Sequence, residues 1–107
     1  MEQLYKSIEQ ITAEEYQRAA KKYGEKHHSQ HEAYAVIYEE LQEASEALVT
    51  LADSVEKKFW YNVRHDFTSD NQQAAREIYR NAILTACEAV QVAAMAYKTL
   101  RSYESEV

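Results

Sequence analysis

The chain has no proline, one glycine and one cysteine in 107 residues. Without glycine and proline as punctuation, and without runs of β-branched residues, it lacks what a many-stranded sheet requires. Its abundant Ala, Glu, Gln and Lys favour helix instead. The lone cysteine, Cys87, can form no intramolecular disulfide, so a reducing compartment is the default and the thiol reads as inert core. No apolar run approaches the ~18 residues of a membrane span, and no basic-then-apolar segment opens the chain. The expectation is a cytoplasmic protein with no membrane contact. A net charge of -6 with interspersed Lys and Arg argues against polymeric nucleic acid, whose phosphates demand a basic face. A free nucleotide held through a divalent cation is compatible with that charge.

The length suits one core, and we read residues 1–107 as a single all-α domain. Leu4, Ile8 and Ile11 have helical spacing, and Thr12 with Glu15 forms a capping-box pattern that predicts a bend in an N-terminal helix over 1–24. Gly24 stands where a helix end favours positive φ. Ser29 and Glu32 form a second capping box, opening a helical core over 29–103. The period runs through Ala33, Ile37, Leu41, Leu48, Leu51, Val55, Phe59 and Val63, with a break or kink expected near Ala52, where Asp53 or Ser54 could cap a new helix. Ser69 or Asp70 caps the last helix, which continues to about Tyr103. This order predicts an antiparallel bundle of three to five helices.

Acidic residues interrupt the pattern. Ile37, Leu41, Ala44, Leu48 and Leu51 make an apolar stripe, with Val36, Glu40, Glu43 and Ala47 beside it. Later, Ile83, Cys87, Val90, Ala94 and Tyr97 form a stripe with Leu84, Glu88, Gln91 and Met95 beside it. In an antiparallel layout Glu40 and Glu43 can face Glu88 and Gln91. Converging carboxylates repel one another, and a hard divalent cation such as magnesium relieves that cost through oxygen ligands. The alternative is that Glu39, Glu40, Glu43 and Glu46 form a solvated face. Glu88, set within the apolar Ile83–Ala96 stretch, fits that alternative poorly.

Glu39-Glu40-Leu41-x-Glu43-x-x-Glu46-Ala47 resembles the first motif of the MazG-like, all-α nucleoside triphosphate pyrophosphohydrolases, which pair an E-x-x-E with a later E-x-x-D. The resemblance covers roughly residues 29–98. It implies a helical bundle, usually a homodimer or homotetramer, that uses Mg2+, with Mn2+ as a substitute, to hydrolyse a nucleoside triphosphate to monophosphate and pyrophosphate. By resemblance Glu40 and Glu43 are metal ligands with catalytic roles, Glu88 is the first acid of the second motif, and Gln91 stands in place of its aspartate. An amide offers a neutral carbonyl oxygen but neither charge nor a base. Gln91 therefore also favours a non-catalytic nucleotide-sensing or protein-binding module.

Other side chains invite a functional reading. His27 and His31 have a spacing that can chelate zinc, yet no cysteine completes the set; the alternatives are a place near substrate phosphates or a solvated helix start. Tyr34 and Tyr38 can stack on a base or pack at a subunit contact. Phe59 and Trp60 cannot share one helix face, so one of them is expected to meet a partner chain or the N-terminal helix. Arg76 and Arg80 read as solvated surface.

Overall fold

The computed structural model describes residues 1–66 and 70–104. Its elements are α1 (Glu2–Tyr23), α2 (Gln30–Asp53), a π-helical segment (Ser54–Phe59), α3 (Trp60–Arg64) and α4 (Asn71–Glu104). Among the described residues there is no strand, and the fold is all-α, as the composition predicts. The proposed cap Ser69 lies outside the described residues.

Two helix boundaries follow directly from local chemistry. α1 stops at Gly24, whose φ of 92° and ψ of 162° are open essentially only to glycine, and whose N–H donates to the Ala20 carbonyl at 2.9 Å. α2 starts at Ser29, whose hydroxyl accepts the Glu32 N–H at 3.0 Å. Glu32 does not complete the box on Ser29; its carboxylate accepts from the His28 N–H at 3.3 Å and lies 3.0 Å from His28 Nδ1.

Two other boundaries are corrected. The expected capping box at Thr12 does not form, because α1 runs on without interruption and Thr12 Oγ1 donates back to the Ile8 carbonyl at 2.8 Å. A hydroxyl satisfied within the helix has no orphan N–H to cap. Near Ala52, where a break or kink is expected, α2 ends at Asp53 and a π-helical segment follows, so the helix changes phase there without a new capped start. Asp53 (φ −62°, ψ −38°) and Trp60 (φ −60°, ψ −39°) stay right-handed helical, and only the hydrogen-bond span lengthens, with the Trp60 N–H reaching the Val55 carbonyl. Asp53 caps nothing; it pairs with Lys57 at 3.3 Å, while the buried Ser54 hydroxyl donates to the Leu51 carbonyl at 2.6 Å.

The covered faces match the apolar stripes only in part: Ile37, Ala44, Leu51, Val90 and Ala94 are covered, and other members are not. On α2 and the turn after it, the line with the least exposure is Ala33, Ile37, Glu40, Ala44, Ala47, Leu51 and Ser54, a strict four-three spacing. Leu41 and Leu48 are about half exposed, at 48% and 55%. On α4 the covered positions include Ala74, Ile78, Asn81, Thr85, Glu88, Val92, Met95, Thr99 and Ser102, with the fully buried Ala94 of the expected stripe and the buried Lys98 beside them, while Ile83 and Cys87 are exposed. The thiol is therefore not core. The most buried positions on these helices include the small Ala33, Ser54, Ala74 and Ala94, and several large apolar residues are exposed.

The chain forms two compact units, Met1–Leu41 with Ala89–Val107, and Gln42–Glu88. In the first, Tyr16 is almost fully buried, meets Tyr97 edge-on with centroids 4.9 Å apart, and donates from its hydroxyl to the Glu25 carbonyl at 2.9 Å. Ala94 is completely buried there. In the second, Ser54 and Ala74 are buried, Lys58 pairs with Glu77 at 3.3 Å, and Phe59 is half-buried while Trp60 is exposed.

Candidate functional site

Glu40 and Glu43 sit one turn apart on the unbroken α2, as Glu88 and Gln91 do on α4. Glu40 and Glu88 lie on the four-three lines of least exposure and are half-buried, whereas Glu43 is exposed. In the second unit Glu43 and Glu88 each offer a carboxylate oxygen, and these two atoms lie within 4.8 Å of each other. Two carboxylate oxygens at that spacing repel when charged, and oxygen donors so placed suit a hard divalent cation.

Gln91, the fourth residue of the expected set, is engaged elsewhere. Its amide Nε2 donates to Glu15 Oε2 at 2.9 Å. Glu15 also accepts from Arg18, at 2.6 Å from Nη2 and 3.3 Å from Nε. The Arg18 guanidinium first, and the Gln91 amide second, hold the Glu15 carboxyl below the usual carboxylate range. Sequence reasoning placed Glu15 in a capping box and so missed it. The only local signal was Arg18 three residues on, a spacing that pairs charges along a helix.

Beside Glu40 and Gln91, within the first unit, opens a cleft of about 720 Å3. Arg18, Lys22 and Tyr23 of α1 and Lys98 of α4 line it. Lys98 is 8% exposed, although it belongs to a residue type that is seldom buried. The volume falls within the ~300–1,000 Å3 typical of small-molecule sites. Three cations facing a cleft that also carries Glu32, Glu39 and Glu40 suit a ligand with both an anionic part and a metal-bridged part. Lys98 was not singled out from sequence, though its place seven residues after Gln91 puts it on the same side of α4.

The remaining candidates separate cleanly. The His27 side chain is buried and His31 is exposed, and among the described residues no His or Cys belongs to a group of three ligand atoms close enough to hold a metal, so the zinc expectation finds no third ligand. Tyr34 and Tyr38 stack on each other with centroids 5.8 Å apart, and both are exposed. Arg76 and Arg80 are exposed, as expected. No family model, curated protein or solved structure matches the chain.

Proposed function

We propose that this chain is a MazG-like, magnesium-dependent nucleoside triphosphate pyrophosphohydrolase or a weakly active relative, with Glu40, Glu43 and Glu88 as the metal-holding acids. The observation that carries the reading is the approach of the Glu43 and Glu88 carboxylate oxygens to within 4.8 Å, with Glu40 one turn before Glu43 on α2. A bound Mg2+ or Mn2+ would supply charge neutralisation at the phosphates and an acidified water. In this reading Arg18, Lys22 and Lys98 bind phosphate oxygens in the cleft and Tyr23 offers its ring to the nucleoside. Water adds at the α-phosphorus and the bond to the β-phosphate oxygen breaks, giving monophosphate and pyrophosphate. We place the protein in the cytoplasm and expect it to act as a homodimer or homotetramer.

One observation favours a second reading. The Gln91 amide, committed to Glu15, adds no charge to the acidic trio, which suits a module that binds nucleotide or protein without turnover. Pyrophosphate release from a panel of nucleoside triphosphates with magnesium separates the two. The enzyme reading expects release that Glu43→Gln, a change at an exposed side chain, abolishes. Nucleotide binding without release leaves the sensing module.

A further inference from the structure

Lys26, His27, His28 and Ser29, with Thr99 and Ser102 of α4, line a cavity of about 170 Å3 where α2 begins. His27 is the unusual member. Its side chain is 2% exposed, and neither ring nitrogen has a hydrogen-bond partner. The Glu32 carboxylate approaches Nδ1 only to 3.8 Å, beyond hydrogen-bond reach, because its oxygens are turned onto His28. The backbone at this point is fixed: the His27 N–H donates to Ser102 Oγ at 3.1 Å, and that hydroxyl donates to the Lys98 carbonyl at 2.9 Å. A buried polar ring held in place without partners is costly, and a ligand that accepts from it removes the cost.

The lining selects the sign of that ligand. Lys26, two imidazoles and hydroxyls surround the cavity, and no carboxylate is among its lining residues. It also sits at the positive end of a 24-residue helix. Ser29 Oγ takes the Glu32 N–H, while the Gln30 and His31 N–H groups, in the first turn, have no acceptor within the helix. The volume is below the ~300–1,000 Å3 of sites that enclose a drug-sized ligand. A free anion or a single phosphoryl group fits that description; a whole nucleotide does not.

We propose that this cavity binds a small oxyanion of the phosphate class, with the buried His27 ring, Lys26 and the first-turn amides of α2 as its donors. The site is independent of the acidic trio and stands whether or not the chain hydrolyses nucleotides. The test is a titration of the full chain with inorganic phosphate, followed by NMR at the Gln30 and His31 amides and the His27 ring. Chloride at matched ionic strength is the control, and a nucleoside monophosphate forms a second arm. The expected result is saturable shifts with phosphate and none with chloride. A monophosphate that reproduces them assigns the site to a ligand's phosphoryl group, and phosphate alone assigns it to the free anion. Lys26→Ala and His27→Gln should each weaken binding several-fold, and Glu32→Gln, which removes a nearby negative charge, should tighten it. Lys26 is exposed, so its variant decides the matter if His27→Gln fails to fold. Shifts that never saturate, shifts that chloride reproduces, or an affinity unchanged in Lys26→Ala overturn the proposal.

Discussion

Gln91 donates a 2.9 Å hydrogen bond to Glu15, tying α4 to α1 inside the first unit. An aspartate at position 91 would remove that donor and set a second carboxylate near the first. We therefore expect Gln91→Asp to lower stability by about 1–3 kcal/mol, the usual cost of leaving a partly buried polar group without its partner. Urea denaturation without metal measures the loss. Pyrophosphate release in the presence of magnesium then reports whether the added charge restores turnover despite the damage. A variant as stable as wild type would mean that the Gln91 amide contributes nothing to the fold.

The same contact sets an acid response. Glu15 titrates lower in the folded chain than in the unfolded one, because of Arg18 and then Gln91. Its contribution to stability is thus complete above the unfolded value of ~4.3 and is lost as pH falls through the lower folded value. Glu32, lowered by His28, acts with the same sign. Denaturation curves across acid pH should show stability falling in that window, and Arg18→Gln should flatten the fall. An unchanged slope in the variant would remove Arg18 as the cause.

If Glu40, Glu43 and Glu88 hold a divalent cation, magnesium must stabilise the native state with the logarithm of its concentration, by about 2.7 kcal/mol at one hundred times the Kd. Glu88→Gln should erase the rise, and manganese should act like magnesium. Melting curves indifferent to millimolar metal would leave the three acids as a solvated cluster.

Gly24→Ala isolates a backbone effect. A methyl group built there meets nothing within 4 Å, so no packing clash arises and the φ of 92° is the whole obstacle. The expected loss is on the order of 1–3 kcal/mol, read by thermal or urea unfolding. A neutral result would show that the chain after α1 relaxes to another conformation freely.

Self-association is expected from the outer face of α2. Tyr34, Tyr38, Leu41, Leu48 and Val55 are exposed and, with Ser45 and Ala52, repeat at the four-three spacing of a coiled-coil seam. A second copy of the chain supplies the same seam and can cover it. Light scattering should give a dimer or larger species, and Leu41→Glu with Leu48→Glu should shift it toward monomer. A monomer at high micromolar concentration would rule out the homo-oligomer.

These residues also show what a sequence can reveal. The ends of α1 and α2 were legible because Gly24 and Ser29 act through chemistry within a few residues. Glu40, Glu43 and Glu88 stood out as candidates because acids beside apolar periods are locally anomalous. Which helix face is covered was legible only in part: Ile37, Ala44 and Leu51 are covered, but hydrophobicity also assigns Leu41, Leu48 and Ile83 inward, and these are exposed while Glu40 and Ala47 are covered. Glu15 was misread for a related reason. Its partner Gln91 lies 76 residues away, and no local pattern encodes that pairing.

The π-helical segment measures off the seam on α2. An i→i+5 turn admits an extra residue, which turns every later side chain by roughly 100° relative to the α-helical phase. The heptad that runs from Tyr34 to Val55 therefore cannot continue past Phe59, and Trp60 and Tyr61 emerge in a direction set by the backbone rather than by the upstream repeat. Any helix that docks along α2 loses its match there, whatever side chains it carries. The length of such a contact is a property of hydrogen-bond phase, and deleting one residue between Ser54 and Phe59 would extend it.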